Sequence, residues 1–158
     1  MDLNDWILAL HLLSAVALIA SVTVFWVMIV ALWRTENPAA VTSFMRLGIV
    51  GNVLVTVGSL GTIVFGVWLA ISLDAYKLWD GWVIAALVLW AIVGAVGKQT
   101  GDGYRGTAEM AAQLAASGSP RSPELAAAMG ASRAFWLHCL TTVLILAIVV
   151  DMIWKPGA

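Results

Sequence analysis

Residues 6–33 read WILALHLLSAVALIASVTVFWVMIVALW, an apolar run whose one titratable side chain is His11. At 1.5 Å of rise per residue such a run crosses a hydrocarbon core of about 30 Å as a helix. An imidazole placed some two turns below a bilayer surface is costly unless it is paired or used, so an intramembrane ionisable residue marks a candidate functional site. The run is also about twice the length of the apolar segment of a secretory signal, and its leader carries Asp2 and Asp5 instead of basic residues. The segment is therefore expected to stay in the mature protein.

Three further apolar stretches give four spans in all, placed at about 6–33, 49–73, 80–98 and 134–154, within one domain covering 1–158. The composition agrees: 62% of residues are hydrophobic and 11% charged, and the mean hydropathy is +0.97. These values lie outside the range of soluble domains. The expected fold is an all-α, four-helix transmembrane bundle in contact with a lipid bilayer.

Basic residues stay on the cytoplasmic side. Arg34 and Arg46 follow span one, and Lys98, Arg105, Arg121 and Arg133 follow span three, whereas the opposite side holds only Lys77 and Lys155. Both termini are thus expected outside. Asp2, Asp5, Asp74, Asp80 and Asp151 then face outward, most simply as solvated ends. The 99–133 loop is expected to form a cytoplasmic helical hairpin: GTAEMAAQLAASG continues span three, SGSPRSP turns, and SPELAAAMG forms a second helix capped by Ser122 with Pro123 at its first position.

Of nine tryptophans, Trp6, Trp33, Trp79, Trp82 and Trp154 fall near span ends, where indoles form interfacial belts. Trp26, Trp68, Trp90 and Trp136 are assigned to packing in preference to lining a cofactor. Span two carries a stripe of Gly48, Gly51, Gly58 and Gly61 beside Asn52, Thr56, Ser59 and Gly66. Small residues let helices approach closely in lipid, although the same stripe could make room for a flat ligand. Gly94, Gly97 and Gly101 repeat the pattern in span three. In span one His11, Ser14, Leu18, Ser21 and Phe25 share a face at increments of three and four, expected to look into the bundle.

Depth limits which polar groups meet. His11 lies about 8 Å, and Asp151 about 5 Å, inside the outer ends of their spans, so Asp151 is a candidate to orient the imidazole. His138, near the inner end, lies on the order of 20 Å away along the axis, so the two histidines cannot ligate one iron. The cofactor-binding candidates are therefore His11, Ser14 and Asp151, with His11 as ligand to haem iron or copper, haem b ahead of copper, or as a proton-transfer group. A neutral imidazole satisfied by Asp151, Ser14 or a carbonyl is the plain alternative. Cys139 is single and reads as a small core residue. Gly101, Gly103 and Gly106 spell GxGxxG without the preceding strand that a dinucleotide site needs, and no basic, aromatic-lined surface points to nucleic acid.

WILALHLLSAVAL, GNVLVTVGSLGTIVFGVWLAI, WDGWVIAALVLWAIVGA and the terminal KPGA together resemble an uncharacterised bacterial family, associated with actinobacteria, of predicted four-span integral membrane proteins. The resemblance covers nearly the whole chain and implies a multi-pass protein of the bacterial inner (plasma) membrane. More remotely, the first-span histidine is similar to that of the copper-resistance protein D membrane domain and the four-span protoporphyrinogen oxidase. That likeness carries His11 over as a ligand position. The same relatives show a Trp/Gly-rich turn after the histidine where this chain has SAVALIAS, and the oxidase's later lysine has only Lys98 as a positional counterpart. The functional expectation is a haem b or metal site at His11 in a redox or cofactor-handling role; the alternative is a non-catalytic accessory or scaffolding subunit, docked to other membrane subunits or to a second copy of itself.

Overall fold

The computed structural model describes residues 2–35, 37–73, 77–119, 122–130 and 133–156. Every regular element among them is a helix: α1 (Leu3–Trp33), α2 (Pro38–Met45), α3 (Leu47–Ser72), α4 (Gly81–Ala116), α5 (Pro123–Met129) and α6 (Arg133–Trp154). Asp74 and Arg121, used above for orientation, lie outside the described residues.

Local chemistry sets the ends of these helices. Asp2 accepts a hydrogen bond from the Asp5 backbone N–H at 2.9 Å while Asp5 accepts one from the Asp2 N–H at 3.0 Å, a reciprocal cap that fixes the start of α1. With 31 residues α1 is about 46 Å long, more than a hydrocarbon core requires. At 36 residues α4 is longer still and runs without a break through Gly101, Gly103 and Gly106, so the GxGxxG spelling belongs to a helix interior. It stops where Gly118 takes a φ of +64°, a left-handed conformation that glycine adopts without steric cost. Ser119 N–H then reaches the Leu114 carbonyl at 3.0 Å and Gly118 N–H the Ala115 carbonyl at 3.2 Å, a Schellman ending. Ser122 caps α5 by accepting from Leu125 N–H at 3.1 Å, with Pro123 in the first turn, as its sequence predicts. Between the first two spans the chain forms α2, a helix that its apolar pattern does not announce; Asn37 caps it by accepting from Ala39 N–H at 2.9 Å.

The four long apolar helices pack as two antiparallel pairs, α1 with α3 and α4 with α6. Between the pairs, contact passes through long side chains. Trp26 donates its indole N–H to Thr142 Oγ1 at 3.1 Å, and Trp90 donates to Ser59 Oγ at 2.8 Å. Two tryptophans assigned to packing thus tie the pairs together, whereas Trp68 and Trp136 are exposed. Trp82, expected in an interfacial belt, is instead buried at the start of α4.

Apolar burial concentrates at one end. Met28, Leu32, Val41, Ala111, Leu125 and Met129 form a cluster drawn from α1, α2, α4 and α5, flanked by Phe25, Phe44 and Tyr104. Trp33 closes it by donating its indole N–H to the Met129 carbonyl at 2.7 Å. Elsewhere most large apolar side chains point outward, since lipid solvates them as well as a protein interior would, although Ile7, Leu69, Trp82 and Val83 are buried toward the opposite end. The short helices therefore cap a conventional core, and α1 and α3 are joined by close backbone packing.

Candidate functional site

The α1/α3 seam is built from missing side chains. A Cβ on Gly58 would stand 2.6 Å from the Leu18 amide nitrogen and 2.8 Å from the Ser14 carbonyl oxygen. One on Gly61 would collide with the Ser14 hydroxymethyl group, and one on Gly51 would lie 2.8 Å from the Phe25 ring. The glycine stripe of α3 thus receives the face of α1 that carries His11, Ser14, Leu18 and Phe25. Ser14 and Ser21 are buried in this face and return their hydroxyls to their own helix, donating to the Leu10 and Leu18 carbonyls at 2.7 and 2.6 Å. The close approach that could have made room for a flat ligand is occupied by α1 itself.

His11 sits at one end of the seam. Its Nδ1 lies 3.1 Å from the backbone carbonyl oxygen of Thr62. A carbonyl only accepts, so Nδ1 carries the proton and Nε2 keeps its lone pair. Gly66, one turn beyond Thr62, makes this contact accessible: a Cβ there would stand 2.9 Å from His11 Cε1 and 3.2 Å from Nδ1. Thr62 holds its own hydroxyl inside the helix, donating to the Gly58 carbonyl at 2.7 Å. His11 is half-buried, and the bond to Thr62 is the one that places it.

Neither of the other two polar candidates is hydrogen-bonded to His11. Asp151 is on α6, the partner of α4; no hydrogen bond joins it to His11, and its Oδ2 is buried without a hydrogen-bond partner among the described residues. Thr62, not Asp151, orients the imidazole in this structure. Ser14 shares the seam with His11 but bonds Leu10. The structure thus brings together His11, Ser14, Gly61, Thr62 and Gly66.

His138 is a separate site. It is 4% exposed, wedged edge-on against Trp26 and Phe25 at centroid distances of 5.0 and 5.9 Å, and its Nε2 has no hydrogen-bond partner among the described residues. Those aromatics lie fourteen and fifteen residues along α1 from His11, about 21 Å of helix. The two histidines therefore occupy different levels, as their positions in the sequence predict. His138 helps couple the helix pairs, since Trp26 also bonds Thr142 one turn along α6. Tyr104, beside the apolar cluster, has a buried hydroxyl with no hydrogen-bond partner among the described residues.

Two partners of His11 escaped the sequence reading. Thr62 contributes a backbone atom and so carries no residue-type signal. Gly66 was placed on the polar face with Asn52 and Thr56, both of which are exposed, and belongs instead with the glycines that meet α1. Only the interval of eight from Gly58 carried that hint.

Among the described residues no group of three or more His, Cys, Asp or Glu side chains could enclose a metal ion. Four long apolar helices and a half-buried imidazole between two of them define the class: a multi-pass helical integral membrane protein. The chain belongs to the family described as "Predicted integral membrane protein (DUF2269)", whose profile matches residues 5–156. No curated protein and no solved structure matches it.

Proposed function

We propose that the protein binds haem b through His11 and serves a redox or cofactor-handling role in the bacterial inner membrane. The observation that carries this reading is the 3.1 Å contact from His11 Nδ1 to the Thr62 carbonyl. Metal-bound histidines characteristically donate their second ring nitrogen to a carbonyl or carboxylate, which fixes the tautomer and raises the basicity of the ligating nitrogen. His11 has this arrangement within α1 and α3 alone. A single protein donor also suits a haem, whose porphyrin would itself supply four nitrogen ligands, better than bare copper, which needs several side chains. Bound haem would supply one-electron chemistry; His11 would hold the iron, while Thr62 and Gly66 keep the imidazole in place. In this reading both termini face outward, because the basic residues gather at the end where α2 and α5 sit.

A second reading, a non-catalytic subunit of a larger complex, rests on α4: Gly94, Gly97 and Gly101 have nothing within 4 Å of where a Cβ would stand. They form an open small-residue face of the kind on which membrane helices pack.

Optical spectra of the protein in mild detergent, oxidised and dithionite-reduced, separate the two. The haem reading expects a Soret band in the wild type, lost in His11→Ala and kept in His138→Ala. A colourless wild type with no bound metal, or a band that survives His11→Ala, overturns it, and co-purifying subunits would then support the second reading.

A further inference from the structure

Outside the α1/α3 seam, α1 carries a groove of about 630 Å³ near its C-terminal end, on the side that α3 leaves uncovered. Trp26 walls one side and Phe44 of α2 the other; Thr23, Val27 and Val30 form the floor, and Arg34 stands at the end. From Thr23 to Arg34 the helix rises about 16 Å, close to the half-thickness of a hydrocarbon core of about 30 Å. The polar atoms along the apolar part are already used: Thr23 donates its hydroxyl to the Ile19 carbonyl at 3.3 Å, and the Trp26 N–H is held by Thr142. Val27 and Val30 remain 56% and 41% exposed, so the floor is open to the bilayer. Arg34 is exposed and makes no ion pair with any described residue.

We propose that this groove is a binding site for an anionic phospholipid, with one acyl chain lying along Val27 and Val30 between Trp26 and Phe44 and the phosphate paired with Arg34. The occupant follows from charge and dimension. An apolar trough one leaflet deep ends in a guanidinium with no ion-pair partner among the described residues, and its planar fork matches phosphate oxygens. A lipid of net negative charge satisfies both ends, and a zwitterionic one brings a second cation to a place that already has one. Arg46 lies at the same end of the bundle but does not line the groove, which makes it an internal control. The site is independent of His11.

Native mass spectrometry of the full chain, released from mild detergent after addition of phosphatidylglycerol or phosphatidylcholine with identical acyl chains, tests it. The wild type should retain one phosphatidylglycerol in preference to phosphatidylcholine. Arg34→Gln should lower phosphatidylglycerol affinity by about five-fold, the equivalent of about 1 kcal/mol for one basic residue at a membrane surface. Val30→Trp, which fills an already open floor, should lower retention of both lipids, and Arg46→Gln should bind as the wild type does. The proposal is overturned if Arg34→Gln retains phosphatidylglycerol undiminished, if Arg46→Gln loses as much as Arg34→Gln, or if Val30→Trp changes nothing. It is equally overturned if the groove variants alter a dimer or a protein complex and leave lipid retention unchanged.

Discussion

The protein carries two glycine stripes of similar appearance with opposite structural fates. In α3, Gly51, Gly58, Gly61 and Gly66 are pressed against α1 so closely that a methyl group at any of them would meet backbone, a hydroxymethyl group or a ring. In α4, Gly94, Gly97 and Gly101 face open space. The difference lies in what stands opposite. α3 meets a helix that offers the small Ser14, the flat ring of Phe25 and, at Leu18, its backbone. Beside α4's stripe, Trp90 reaches to Ser59 and holds the neighbouring helix at the length of an indole. A small-residue stripe permits close approach, and the partner's side chains decide whether it happens.

Substituting into the closed stripe should produce the largest effect. Gly58→Ala places its methyl against backbone atoms at 2.6 and 2.8 Å, which no rotamer change relieves. The helices must separate, at a cost of about 2 kcal/mol, seen as a lower unfolding midpoint in mild detergent. Unchanged stability would mean that the seam is looser than its geometry.

Gly66→Ala should cost less, about 1 kcal/mol, because the group it meets is an imidazole that can swing aside. Its value is specificity. The displaced His11 would lose its bond to Thr62, so any Soret band assigned to His11 should shift or weaken in this variant, while Gly58→Ala, just over two turns away, should perturb it less per unit of lost stability.

Trp90→Phe removes the donor that bridges α4 to α3 and leaves Ser59 able to turn to its own helix. Interhelical hydrogen bonds in membrane proteins contribute about 0.6 kcal/mol on average, and a loss near that size is expected. A far larger loss would show that the indole spaces the helix pairs as well as bonding them.

The smallest effect belongs to the open stripe. Gly97→Ala meets nothing and raises helix propensity, so stability should hold or rise by up to about 1 kcal/mol. A clear loss in that variant would reveal a packing partner on α4 and strengthen the subunit reading.

Much of this contrast was legible in advance. The spacing of His11, Ser14, Leu18 and Phe25 gives the face of α1 that meets α3, and the order of the spans gives the difference in level between His11 and His138. Pro123 and Ser122 announce the start of α5. What stayed hidden has a common origin. Spans in lipid are apolar on most sides, and α6 has no polar stripe like that of α1 to report how it is rotated, so Asp151 could be placed at His11's depth but not at its side. The α2 helix was missed because eight residues barely nucleate a helix alone; it depends on burying Val41 and Pro38 in the cap.

The amino-acid sequence alone therefore determined that the chain is all helical, where its apolar runs lie, and which residues of α1 share a face, because segment length and helical period are local properties. Tertiary structure alone decided that Gly66 opens the Thr62 carbonyl to His11, that Asp151 makes no hydrogen bond to that imidazole, and that one glycine stripe closes while the other remains open. Those outcomes depend on which helix stands opposite and at what rotation, and that is fixed by side-chain shapes meeting across an interface that no single segment contains.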